Sequence, residues 1–165
     1  MDNLQHIAPE LLPILKQIAD PEIPVLSIVD MGVVRSARII NSEAFVEITP
    51  TYSGCPAMDV IGDDIKKALE KAGFSSQVKL ILSPAWTTDW ITPHGRDALL
   101  KYGIAPPMNP DADKSALLGN KKVVPCPQCG STNTVMISQF GSTACKALLR
   151  CEDCKEPFDY FKCLR

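Results

Sequence analysis

Cys126-Pro127-Gln128-Cys129 and Cys151-Glu152-Asp153-Cys154 are two C-x-x-C knuckles separated by 21 residues. Paired knuckles on either side of a hairpin-length segment bring four sulfurs toward one tetrahedral ion. Thiolate donors suit zinc or an iron-sulfur cluster and disfavour magnesium or calcium. The separation slightly exceeds the 15 to 20 residues common for such double knuckles. It contains Thr134 to Gln139 and Ala147 to Leu149, which read as strands of a ribbon. Gly130 follows Cys129 and supplies the turn that wraps the metal. A segment of about 40 residues buries too little surface to fold alone, so a metal contributing on the order of 10 kcal/mol supplies most of its stability. The plain alternative is four reduced, packed thiols. For a closed site, structural zinc ranks ahead of a cluster. Residues 123–165 are thus expected to be a zinc-ribbon-like β module with Cys126, Cys129, Cys151 and Cys154 as metal ligands.

Upstream, Ala105-Pro106-Pro107-Met108-Asn109-Pro110-Asp111-Ala112-Asp113 is rich in proline and acid and carries no periodic apolar pattern. It reads as a linker over 107–122. Residues 1–106 then form the main domain. Leu11, Leu15 and Ile18 make a helical stripe, with Pro9 and Pro13 tolerable if the helix begins or bends near Pro13. Asp20-Pro21-Glu22-Ile23-Pro24 interrupts it. Val33 to Ile40 and Ala44 to Thr49 flank Asn41-Ser42-Glu43 and predict a hairpin. Pro56 to Ala72 places Met58, Ile61, Ile65, Leu69 and Ala72 on one face, with Gly73 at the C′ position. Gln77 to Leu82 alternates toward Pro84 as a third strand, and Gly95 to Tyr102 suits a short helix. The fold class expected is α+β: a small mixed-sheet α/β domain followed by the β module.

Seven cysteines, four in knuckles, argue for metal ligation in a reducing cytoplasm and against a disulfide framework. The amino terminus has no basic region ahead of an apolar run, and no apolar run spans a bilayer, so neither secretion nor a membrane is expected. Formal net charge is −2. Residues 1–106 hold nine Lys/Arg against thirteen Asp/Glu, and residues 107–165 eight against six. A nucleic-acid partner is therefore disfavoured, although Lys121, Lys122, Lys146 and Arg150 keep open a zinc-ribbon adaptor that binds protein or nucleic acid.

Cys55 follows a strand and precedes Pro56 at the start of the best helix. A sulfur facing that amino end is expected to have a lowered pKa, which favours a reactive or metal-binding thiol over an inert core cysteine. Nucleophilic catalysis needs a base, and His6 and His94 lie in no recognisable thiol-enzyme motif. Asp20 and Glu22 either add carboxylate ligands or, the safer expectation, cap nearby amides. Trp86 and Trp90 suit packing or a partner surface. Cys145 and Cys163 lie outside the knuckles; each alone reads as a packed thiol, while together they offer a transfer or cluster site. No Gly-rich phosphate loop, paired-carboxylate site or H-E-x-x-H is present, so the chain is not expected to be an enzyme.

Asp20-Pro21-Glu22-Ile23-Pro24, Asp30-Met31-Gly32-Val33-Val34, Thr49-Pro50-Thr51-Tyr52-Ser53-Gly54-Cys55-Pro56 and Pro84-Ala85-Trp86-Thr87-Thr88-Asp89 resemble the metal-sulfur cluster biosynthesis domain family over about residues 8–105. With Gly141-Ser142-Thr143-Ala144-Cys145-Lys146-Ala147 and the ending Glu156 to Cys163, nearly the whole chain resembles the PaaD-like phenylacetate-degradation family. That resemblance implies an accessory or maturation factor for the multicomponent phenylacetyl-CoA epoxidase, a di-iron oxygenase fed by an iron-sulfur reductase. It implies partners among the oxygenase or reductase components and a labile iron-sulfur cluster handled by Cys55, which matches the domain's cysteine, with Cys145 or Cys163 as candidate helpers. An open, under-coordinated cluster site completed by a second subunit suggests a homodimer. Thr88, Asp89 and Trp90 follow the PaaD-like variant more than the general domain.

Overall fold

Leu11, Leu15 and Ile18 are all buried, but the helix they mark is only one turn, α1 (Leu12–Leu15), with Pro13 in its first turn. The computed structural model describes residues 3–108 and 123–162. Most of the expected linker, Lys121, Lys122 and Cys163 lie outside the described residues. The chain divides into two compact units, 1–95 and 96–165.

In the first unit the predicted hairpin is β1 (Val34–Ile40) and β2 (Glu43–Ile48), antiparallel, with Ala37 opposite Val46. Its two-residue turn has φ 51° at Asn41 and 65° at Ser42. Positive φ at both positions matches the twist of the flanking strands. Next comes α2 (Ala57–Lys71), which buries Met58, Ile61, Ile65 and Leu69. Its end is a Schellman closure: the Phe74 amide donates to the Leu69 carbonyl at 2.9 Å and the Gly73 amide to the Glu70 carbonyl at 2.9 Å, with Gly73 at φ +89°.

The third strand, β3 (Ser75–Leu80), begins earlier than the alternation suggests and runs parallel to β2, Val46 facing Val78. The sheet order is β1-β2-β3, so β2-α2-β3 is a parallel crossover unit. Leu80 and Leu82, which the alternation puts on one face with Val78, are exposed. Leu80 ends the edge strand and Leu82 lies past it, beyond the Val46–Val78 pair. Both strands of the parallel pair point their carboxyl ends the same way, and the loop leaving β2 there carries Cys55 into α2.

A loop then folds back over the β1 entry. Trp86 is buried, its Nε1 donating to the Met31 carbonyl at 3.0 Å. Gly32 has φ +74°, and a Cβ there would meet Trp90 Cβ and O at 2.6 Å, so only glycine allows this approach. The helix α3 (Pro93–Tyr102) begins slightly before the predicted start.

The second unit is a four-stranded sheet, β4-β7-β6-β5, made of β4 (Ile104–Ala105), β5 (Thr134–Ser138), β6 (Lys146–Cys151) and β7 (Pro157–Phe161). β5 and β6 are the expected ribbon pair. Ile104 and Ala105, assigned from sequence to the end of the main domain, instead pair in parallel with Asp159 and Tyr160 of β7. The division at 95/96 likewise precedes the expected boundary at 106. Met108 is held by its amide donating to the Tyr160 hydroxyl at 3.3 Å, and Arg96 Nη1 donates to the Pro107 carbonyl at 2.8 Å. Ala105, Val124, Ala147, Leu149, Phe158 and Tyr160 form this unit's core together with Cys126 and Cys151. Among the described residues no helix is long and apolar enough to cross a membrane.

Candidate metal and thiol sites

The two knuckles converge. Sγ of Cys126 lies 3.7 Å from that of Cys154, Sγ of Cys129 lies 3.6 Å from that of Cys151, and all four sulfurs fall within 4.8 Å of one another. A zinc ion with sulfurs at about 2.3 Å in a tetrahedron separates each pair of sulfurs by about 3.8 Å. The donor set and its spacing therefore fit a single tetrahedral ion. A polynuclear cluster inserts several atoms between its cysteines and would hold the sulfurs farther apart.

Local backbone explains the convergence. The Gly130 amide donates to the Cys126 carbonyl at 2.9 Å and the Cys126 amide to the Ser131 carbonyl at 2.9 Å, closing the first knuckle. In the second, the Cys151 amide donates to the Glu156 carbonyl at 3.0 Å. Each knuckle is followed by a left-handed residue, Gly130 at φ +74° and Lys155 at φ +67°. Asp153 ties the two turns together, accepting from Ser131 Oγ and, at 2.8 Å, from Asn133 Nδ2. Cys126 and Cys151 face the core, whereas Cys129 and Cys154 are exposed.

Without a cation the four thiols cannot ionise alike. Backbone amides of Cys154 and Asp153, together with neighbouring thiols, bring Cys151 down to about 7. At Cys154 the Glu156 amide favours the thiolate, but burial and the other three cysteines outweigh it and push the thiol up to about 12. Such a quartet ionises fully only around a cation, and binding releases protons.

Cys145 does not join this site. It is buried just ahead of β6, its Sγ 3.0 Å from Thr143 Oγ1. Cys151 stands at the other end of that strand, about 20 Å away at ~3.3 Å per residue. Two of the cations that suggested nucleic acid are also engaged: Lys146 is buried beside Asp159 at 3.7 Å, and Arg150 binds Glu152 at 2.6 Å.

Cys55 is half-buried in the loop between β2 and α2, next to Gly54 at φ +81°. Its amide donates to the Tyr52 carbonyl at 3.3 Å. Pro56 is the N-cap and α2 starts at Ala57. The lowered pKa expected from the helix end is not what the surroundings produce. Burial is the largest influence and raises the thiol pKa; the Ala57 amide and the Tyr52 hydroxyl oppose it, while the carboxylates of Glu22 and Asp20 add to the rise. The net shift is upward. Asp20 caps its own loop as expected, its Oδ1 accepting from the Glu22 amide at 2.8 Å and the Ile23 amide at 2.9 Å.

A second polar cluster was invisible in the sequence. Asp30, buried, accepts from Ser27 Oγ and Thr92 Oγ1 at 2.7 Å each and from His94 Nδ1 at 3.2 Å. Burial opposes its ionisation, but these hydroxyls and the imidazole prevail and hold the carboxyl below its ordinary value. Thr92 and His94 lie more than sixty positions from it in the chain. Arg35 is likewise placed by tertiary structure, its guanidinium 3.4 Å above the Trp90 ring.

Comparison with known proteins matches these two regions separately. Residues 110–162 match the PaaD zinc beta ribbon domain, and residues 10–80 match the iron-sulfur cluster assembly protein family. A protein of Escherichia coli (strain K12), provisionally named as a subunit of 1,2-phenylacetyl-CoA epoxidase, is 50% identical over 99% of this chain and 100% of its own length. The chain belongs to the PaaD family. The chain also resembles a Porphyromonas gingivalis protein named Fe-S protein maturation auxiliary factor, 30% identical over 58% of this chain and 90% of that protein. Bacillus subtilis YitW, of the same description, is 33% identical over 52% of this chain and 85% of its own. Among solved structures, a DUF59 domain from Bacillus anthracis shares 28% identity, covering 55% of this chain and 88% of that one, with a TM-score of 0.51. The mixed α+β fold thus agrees with the solved neighbour, and the clustered cysteines agree with the zinc beta ribbon family. The PaaD-family ribbon contains all four clustered cysteines, and the iron-sulfur assembly match contains Cys55.

Proposed function

We propose that the chain is a non-catalytic cytoplasmic accessory factor that helps assemble or deliver an iron-sulfur or iron centre for a multicomponent phenylacetyl-CoA epoxidase, meeting its oxygenase or reductase component. The observation that carries this reading is the division of sulfur chemistry between the two units. In the second, four sulfurs are closed on one another at single-ion spacing. In the first, a partly accessible thiol sits in the loop at the carboxyl ends of a parallel pair, the end where α/β folds place their ligands.

Cys126, Cys129, Cys151 and Cys154 are assigned to structural zinc, which when bound contributes folding free energy to the ribbon. Cys55 is assigned to the cargo. The carboxylates of Asp20 and Glu22 near it disfavour a bare thiolate and favour an incoming cation. Cys145, being buried, fits a packed thiol better than a transfer ligand. The names of the relatives support the same reading: the iron-sulfur assembly family matches residues 10–80, which bear Cys55, two similar proteins are named iron-sulfur maturation factors, and the protein named for the epoxidase aligns with nearly the whole chain.

The test is a transfer assay. Protein loaded anaerobically with iron and sulfide is mixed with metal-free oxygenase or reductase component, with a chelator present to capture released iron. Wild type is expected to restore the component's metal centre, and Cys55→Ala to lose at least tenfold in rate. Equal restoration by free iron and sulfide under chelator would overturn the assignment.

A further inference from the structure

We propose that Arg35, stacked on Trp90, is a binding site for a carboxylate. The site lies wholly within the first unit and stands whether or not the chain handles a cluster.

The backbone sets both members of the stack in place. Val34 faces Ile48 and Ser36 faces Glu47, so Arg35 is the extra residue of a bulge in β1. A bulge re-aims the side chain it carries. The guanidinium carbon lies 3.4 Å from the centroid of the Trp90 ring. Trp90 in turn is fixed by its amide, which donates to the Thr87 carbonyl at 3.1 Å, and by its close approach to Gly32.

Stacking covers a face of the guanidinium but uses none of its N–H groups, which point outward in its plane. Nε and Nη1 are buried and reach no acceptor among the described residues. A cation–π contact returns less free energy than two unmatched donors of a charged group lose on leaving water, so the stack by itself is incomplete. The acids around it do not complete it. Glu47, across the strand, accepts from Ser36 Oγ at 2.8 Å, and Asp30 is taken up by Ser27, Thr92 and His94. Burial lowers the pKa of Arg35, and no carboxylate opposes that shift.

The missing group is therefore an acceptor that also carries negative charge. A water would accept a hydrogen bond but leave the desolvated charge unbalanced. A phosphate dianion calls for a second cation or a nest of amides, whereas residues 1–106 hold nine Lys/Arg against thirteen Asp/Glu. A carboxylate matches one guanidinium in charge and, through two parallel hydrogen bonds, in shape. Nη2 forms such a fork with either of the other two nitrogens, and the residue as a whole is only half-buried, which leaves an approach from solvent. The carboxylate is that of a free organic acid or of an Asp or Glu side chain on a docked protein.

The test uses the full zinc-loaded chain, labelled with heavy nitrogen and followed by NMR as sodium acetate replaces sodium chloride at constant ionic strength and neutral pH. The Arg35 Nε–H resonance, identified by its loss in Arg35→Lys, is expected to shift and saturate with a midpoint on the order of 10 mM. The exposed Arg38 is expected to drift without saturating. The Trp90 indole N–H is expected to move with the same midpoint in wild type and to stay still in Arg35→Lys, which keeps the charge and loses the fork; circular dichroism checks that this variant is folded. An Arg35 resonance that follows Arg38, as a site filled by water alone would give, overturns the proposal. So does an indole shift that persists in folded Arg35→Lys. The source is read from binding to the oxygenase and reductase components, an arm that rests on the proposed function. Weakening of that binding by about tenfold with acetate or in Arg35→Lys identifies a partner's side chain, and indifference to both, with acetate still saturating the site, identifies a free acid. Failure to bind either component counts against the proposed function and leaves the acetate result to decide the site.

Discussion

At Cys55, burial and two carboxylates act on a thiol placed at the start of a helix. Its place after a strand and before Pro56 was readable in the sequence, because a loop between strand and helix is fixed by neighbours in the chain. The direction of its pKa was not. Desolvation and the carboxylates of Glu22 and Asp20, which come from a loop more than thirty positions upstream, outweigh the Ala57 amide. The thiol is therefore held protonated at neutral pH. In the metal-free protein, iodoacetamide modification of Cys55, followed by mass spectrometry of its peptide, is expected to rise with pH through a midpoint above the ordinary thiol value of about 8.5. A midpoint below about 7.5, a full unit under that ordinary value, would restore the activated thiolate and remove the electrostatic basis for cation uptake at this site. The Asp30 cluster belongs to the same class: Ser27, Thr92 and His94 meet only after folding, so no spacing in the chain announces them.

Elements with strong local codes were legible. The α2 stripe, its Gly73 stop and the β1–β2 turn were fixed by periodicity and turn chemistry. The parallel pairing of β3 with β2 and the recruitment of Ile104–Ala105 into the second sheet depend on long-range register, and the sequence pattern does not specify that register. The knuckles illustrate both sides. Their ligand spacing was evident, yet only the structure shows that Lys155 occupies the left-handed position that Gly130 fills in the other knuckle. A side chain with a Cβ costs roughly 1–2 kcal/mol in that conformation. Lys155→Gly should relieve the strain, partly offset by the added freedom of the unfolded chain, for a net gain of about 0.5–1 kcal/mol. The exposed pair that Lys155 makes with Glu152 at 3.4 Å offsets little of this. Thermal unfolding of the zinc-loaded variant measures the change. A fall in stability would mean that the lysine contributes more than its geometry indicates.

At the scale of the whole molecule, the chain joins a small α+β unit to a ribbon that fits one zinc ion, and the two units place sulfur in opposite circumstances. One sulfur set satisfies its own geometry and needs no partner protein. The other offers a single half-buried thiol in the region that matches iron-sulfur assembly proteins. Under the proposed assembly role, retention and release would fall on different parts of one chain. The most direct measurement is zinc, iron and acid-labile sulfide per chain after anaerobic reconstitution of wild type, Cys55→Ala and Cys126→Ser. The account predicts about one zinc in wild type and Cys55→Ala, iron and sulfide in wild type but not in Cys55→Ala, and loss of zinc in Cys126→Ser. Iron and sulfide undiminished in Cys55→Ala, or iron replacing zinc in the quartet, would contradict it.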